Sequence, residues 1–162
     1  MSEKNSGFTL VELMVAIAVL AVIATLAVPS FSNVLAHQSL KKTTLELKSS
    51  LQEARSQALL TRASTIVCLN KNASGVVVDE DACGAELTGF STMATSLKAS
   101  NIKIVNLDDK VSFDSSVNDD FFVFDARGTT VEKSVKFCAG SQSYTLKIFI
   151  PGTITVENGA AC

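Results

Sequence analysis

The chain has no tryptophan, one tyrosine and a single histidine, His37. From Ala63 onward there is no histidine at all, which excludes a His-based triad or a His metal cluster in that region. Walker and GxGxxG loops are missing too, since Gly140-Ser141 and Gly159 stand isolated. No two of the four cysteines are at CxxC spacing, so zinc has no ligand set. Basic clusters are also scarce. From Ala63 onward 12 acids face 8 bases, a net −4, and an acidic surface argues against phosphate-backbone binding. Asp79, Glu80 and Asp81 with Glu86, and Asp119-Asp120 with Asp125, have the oxygens to hold calcium, but neither set fits an EF-hand and both read as solvated loops. The expectation is a non-enzymatic protein with no cofactor and no metal.

Charge is absent from one further place, the run Leu13 to Val28, where Thr25 is the only hydroxyl. Phe8 to Val28 as a helix would span roughly 31 Å, close to the ~30 Å hydrocarbon core of a bilayer. This run inflates the hydrophobic content of 47% and the mean hydropathy of +0.32. One acid, Glu12, sits just inside its front, where a mid-membrane carboxylate would cost ~2.5–3.5 kcal/mol. The leader, MSEKNSG, is too short for a secretory signal, and its small residue precedes the apolar run. A cut after Gly7 would keep the run on the mature chain and create an amine at Phe8. That amine lies at i,i+4 from Glu12, where opposite charges meet, and an acid in the first turn also suits the helix dipole. Glu12 could neutralise its own Phe8 amine or that of a neighbouring subunit.

Gly7-Phe8-Thr9-Leu10-Val11-Glu12-Leu13, with Pro29 further on, resembles the class III signal of type IV pilins and type II secretion pseudopilins. The resemblance implies cleavage after Gly7 by a membrane prepilin peptidase and N-methylation of Phe8. It further implies extraction from the inner membrane into a helical filament of major and minor pilins, with Glu12 guiding docking.

Pro29 is expected to kink a helix that then resumes. Leu40, Leu47, Leu51, Ala54 and Ala58 fall on one apolar stripe at 100° per residue, whereas Phe31 and Leu35 point the other way. The first half of the helix is expected to pack on other subunits and the second half under a head. The segment His37–Arg62 holds five bases and two acids, net +3. Its end, Ala54, Arg55, Ser56, Ala58 and Leu59, followed by Val67 and Cys68 in a strand, resembles the GspH/FimT group of minor pseudopilins and minor pilins. Arg55 itself reads as part of a solvated helix face near Glu53 or Gln52.

Beyond Leu69 the pattern is β. Asn70 to Gly75 reads as a turn and Val76 to Asp79 as the returning strand of a hairpin. Asp79 through Gly89 is an acidic loop, and Ala94 to Ala99 a short helix. Strands follow at Ile102–Val105, Val111–Asp114, Phe121–Phe124, Ser134–Cys138, Tyr144–Ile150 and Thr153–Glu157. Phe113, Phe121 or Phe122, Phe124, Phe137, Tyr144 and Phe149 would fill the core. The block FDARGT, Phe124 to Thr129, resembles an F-x-x-x-G turn of the same group.

The fold class is therefore α+β: a long N-terminal helix, kinked near Pro29, carrying a mostly antiparallel β-rich head on its second half, pilin-like. The boundaries are 1–7 for the leader, 8–29 for the transmembrane and filament-core half, 30–62 for the amphipathic half and 63–162 for the head. An even cysteine count in a domain that crosses a membrane reads as disulfides in an oxidising compartment. Cys68, Cys83, Cys138 and Cys162 allow three pairings. Cys68–Cys83 and Cys138–Cys162, the nearest neighbours in sequence, are favoured, and a loop of roughly 15 residues gains ~3 kcal/mol.

The functional expectation is a FimU/FimT-like minor pilin near the pilus tip, supporting assembly, twitching motility, adhesion or DNA uptake. It would be a single-pass inner-membrane protein with a periplasmic head, then part of a surface pilus. The alternative is a GspH-like minor pseudopilin of a type II secretion system, in a periplasmic pseudopilus. A third reading, a DNA-binding receptor pilin, lacks an electrostatic basis, because Thr153 to Cys162 has Glu157 and no Lys or Arg.

Overall fold

The computed structural model describes residues 8–72, 74–118 and 120–159, without the side chains of 26–30 and 115–118. The leader 1–7 and the C-terminal Cys162 therefore lie outside the described residues, and the Pro29 side chain outside the described side chains. The chain divides into two compact units, one ending at Leu35 and the other beginning at Ala36.

The first unit is the front of α1, which runs Leu10–Thr61 and is helical through Pro29. From Phe8 to Thr25 every side chain is exposed, although only Thr9, Glu12 and Thr25 are polar. Among the described residues no helix is both long and apolar enough to cross a membrane. The described side chains of the apolar run stop at Thr25, short of the Val28 that the sequence reading used as its end.

The second unit is built on the rest of α1. Leu40, Leu47, Leu51, Ala54 and Ala58 are fully buried, so the stripe read from the sequence is the face that seats the head. Two sheets enclose it. The first, in the order β2-β1-β4, has β1 (Thr65–Leu69) between a parallel β2 (Ile102–Val105) and an antiparallel β4 (Phe121–Phe124). The second, in the order β3-β5-β6-β7, is antiparallel: β3 (Ser112–Asn118), β5 (Lys133–Ala139), β6 (Gln142–Ile148) and β7 (Ile154–Gly159).

Every residue of β1 is buried, because both faces of its sheet are covered. Val67 and Leu69 join the main core with Phe122, Phe124, Phe137, Leu146 and Ile148. Ile66 and Cys68 face the opposite way, into a smaller cluster with Cys83 and Leu87. Phe113 and Tyr144 pack on the main core as expected, but Phe121 belongs to the smaller cluster and Phe149 to neither.

Two readings need correction. Val76–Asp79 does return antiparallel, with Val77 bridging Lys71, the Asn72 N–H donating to Val76 O and the Val78 N–H to Asn70 O, but it is no strand beside β1, whose neighbours are β2 and β4. The turn itself is present, with Gly75 at φ 79°. Asn70 serves both sides, since its carbonyl accepts from the Val78 N–H while its N–H donates to Val105 O and its side-chain oxygen accepts from the Leu107 N–H. The slot beside β1 goes to β2 instead. The acidic stretch after it is not a loop either but α2, Glu80–Ala85, started by the Asp79 carboxylate accepting from the Ala82 N–H at 2.8 Å. The expected short helix is α3, Thr95–Asn101.

Candidate functional site

Three places bear on function. The first is the start of α1. Thr9 is an N-cap residue whose Oγ1 accepts from the Glu12 N–H at 3.2 Å. Glu12 Oε2 in turn accepts from the Thr9 N–H at 3.0 Å and the Thr9 hydroxyl at 2.9 Å. This is a reciprocal capping box, T-x-x-E. The sequence reading aimed Glu12 at Phe8. In the uncut chain the Phe8 nitrogen is a peptide nitrogen with no charge to offer, so the carboxylate closes on Thr9. Phe8 is 83% exposed, and Gly7 lies outside the described residues. Thr9 was missed, although the T-x-x-E spacing is visible in the sequence. Pro29 lies well along α1 from this box, and its side chain is outside those described.

The second is the junction of α1 with two turns of the head. Arg55 Nε donates to Gly128 O at 3.1 Å and its Nη1 to Gly152 O at 3.2 Å. Arg55 is therefore no bystander on a solvated face. It ties the FDARGT turn and the Pro151-Gly152 turn to the helix, with Gly128 at φ 71° and Gly152 at φ 78°. A Cβ on Gly152 would come within 2.7 Å of Arg55 Nε and 2.8 Å of Gly128 O, so this glycine is set by space as well as by dihedral. Asp125 organises the same turn, accepting from the N–H groups of Arg127 and Thr129 at 2.9 Å each and from the Thr129 hydroxyl at 2.8 Å. Those bonds, the Thr129 N–H first, lower the Asp125 pKa to about 2.

The third is the disulfide Cys68–Cys83, which joins β1 to α2. Both cysteines are buried. Pairing of Cys138 with Cys162 involves a residue outside those described.

The carboxylates considered for calcium do not converge. Asp79 caps α2, Asp125 is filled by its turn, and Asp119 is outside the described residues. Among the described residues no group of three or more His, Cys, Asp or Glu is placed to hold a metal ion.

An apolar helix bare on every side, headed by a capped acid and continued into a β head, defines a subunit of the pilin and pseudopilin class. Residues 3–28 match the prokaryotic N-terminal methylation motif, and residues 43–153 match the family of the type II transport protein GspH. The second match covers well over half of the chain, which belongs to the GspH family of minor pilins and pseudopilins. No curated protein and no solved structure matches the chain significantly.

Proposed function

We propose that this chain is a FimU/FimT-like minor pilin, a structural subunit that helps prime or complete a type IV pilus near its tip. In this reading prepilin peptidase cuts after Gly7 and Phe8 is N-methylated. Residues 8–29 hold the chain in the inner membrane with the head in the periplasm. Assembly then transfers that helix from lipid to the packed helices of neighbouring pilins. The observation that carries the reading is the bare apolar front of α1: from Leu10 to Ile23 its large side chains are at least half exposed. An isolated apolar helix in water would be unfavourable by ~25 cal/mol per Å² of such surface, so another phase or another helix must cover it. The pairing Cys138–Cys162 is part of the proposal and suits a head outside the cytoplasm.

Mass spectrometry of the protein recovered from its host tests the proposal. Mature chains should begin at methylated Phe8, and chains that still begin at Met1 would refute it.

The GspH match favours a second reading, a minor pseudopilin of a type II secretion system. Deleting the gene separates the two, because the first reading predicts lost twitching with secretion intact and the second the reverse.

A further inference from the structure

A sheet edge is a template for another strand unless the sequence guards it. β3 is guarded by a register shift between Phe113 and Asn118, and β2 carries Lys103, which pairs with Glu53 of α1. On β4 the Phe121 carbonyl accepts from the Lys133 ammonium. β7 has no such guard. Ile154–Gly159 holds no lysine and no proline, and it pairs with β6 in unbroken register over all six residues.

The hairpin fixes which way its main-chain groups point. The Phe149 N–H donates to Thr153 O at 3.0 Å, so those two residues form a bonded pair. Bonded pairs recur at every second residue of an antiparallel ladder, which turns the N–H and C=O of Thr155, Glu157 and Gly159 toward β6. Those of Ile154, Val156 and Asn158 point off the edge. The side chains of Ile154 and Val156 pack on the main core, yet both stay half-buried at its margin.

Main-chain groups alone would accept any strand, but the space beside Ile154 is selective. A groove of about 380 Å³ opens between α1 and the start of β7, walled by Gln52, Arg55, Ser56, Gly152, Thr153 and Ile154. Arg55 is the only charged residue on those walls, and its two bonds go to neutral carbonyls. The acids around it are already paired: Glu157 with Lys147, Asp125 with Arg127, and Glu53 with Lys103. Lys48 adds a second positive charge one helical turn before Gln52. Among the described residues neither Lys48 nor Arg55 makes an ion pair.

We propose that this edge and groove receive an extended segment of a different pilin subunit, which adds a strand to β7 and sets a carboxylate against Arg55. The occupant's acid is argued from charge, since a half-buried guanidinium without a counter-ion lies beside the open edge. The proposal rests on the filament reading only in taking the partner from among the other subunits.

The test is photo-cross-linking in living host cells, with benzoylphenylalanine replacing the exposed Thr153 of the full chain and the linked peptides identified by mass spectrometry. They should come from one other pilin or pseudopilin and include Asp or Glu in a stretch free of proline. Gln52→Glu, at an exposed helix position, would satisfy Arg55 from within and should lower the yield about fivefold, whereas Gln52→Lys should not. Val156→Pro removes an outward N–H and leaves the ladder to β6 intact, so it should lower the yield about fivefold, whereas Val156→Thr should not. Should the proline variant unfold, the Gln52 pair decides alone. No cross-link, a linked peptide from this chain, from a second copy of it or from a protein that is no pilin, or a yield that Gln52→Glu or a folded Val156→Pro leaves unchanged would each overturn the proposal. Chains that begin at Met1 would refute the processing claim without altering this result, so the two failures are distinguishable.

Discussion

Two of the N–H donors of Arg55 reach main-chain carbonyls 73 and 97 residues further along the chain. A guanidinium does this well because its planar fork serves two acceptors at once without rearrangement. Truncation would leave both carbonyls partly buried and without their donor, which costs more than the bonds themselves contribute. Arg55→Ala is expected to destabilise the head by about 2–3 kcal/mol, and Arg55→Lys to recover less than half of that. Urea unfolding followed by circular dichroism checks this, and an unchanged midpoint would mean that water serves the carbonyls equally well. The helical period tells which residues share a face, but not which distant turn folds over that face. Hence the buried stripe from Leu40 to Ala58 could be read from sequence and the partners of Arg55 could not. Thr9 is the opposite case, since its bond to Glu12 is local and its spacing alone would have revealed it.

At the scale of elements, local pattern and long-range pairing part company around β1. The strands from β2 to β7 could be placed within a few residues because each combines β-branched or aromatic residues with flanking turn residues. The parallel partner of β1 could not, because nothing within Thr65–Leu69 specifies a neighbour that arrives only after two helices. α2 was hidden for a different reason. It is six residues long and contains Gly84 and Cys83, poor helix formers, so its existence depends on the Asp79 cap, the Cys68–Cys83 bond and Gly84 lying against the Phe90 ring. That dependence gives a prediction. Replacing Cys68 and Cys83 together with alanine should lower stability by about 3 kcal/mol, the value for a closed loop of 15 residues. Hydrogen exchange should show the added opening concentrated in Glu80–Ala85, and protection there equal to the wild type would show that the cap and the small cluster hold α2 unaided.

For the molecule as a whole, the proposed function turns on what Glu12 does once the chain is processed. In the uncut chain its carboxylate is engaged by Thr9, which makes the acid an ordinary helix-start residue. Cleavage after Gly7 would change its surroundings by placing a positive amine at Phe8, one helical turn away. An uncompensated amine at the positive end of a helix dipole is unfavourable, and the carboxylate is the only acid in the first turn able to offset it. Within lipid a single helix supplies one such pair, whereas in a bundle the amine of a neighbour can share it. Two substitutions separate the capping role from the charge role. Glu12→Gln keeps a side chain that can still accept from the Thr9 N–H, because glutamine also serves at the third position of a capping box. Glu12→Ala removes both. If capping were the whole purpose, Gln would assemble normally and Ala would not. The charge reading expects both variants to insert in the membrane as well as the wild type, or better, since an acid has been removed from an apolar run. It also expects both to be depleted to a similar degree from sheared filaments, as measured by immunoblotting of filament and membrane fractions. Normal incorporation of Glu12→Gln would break the link between the acid and assembly, and would leave Glu12 a structural cap.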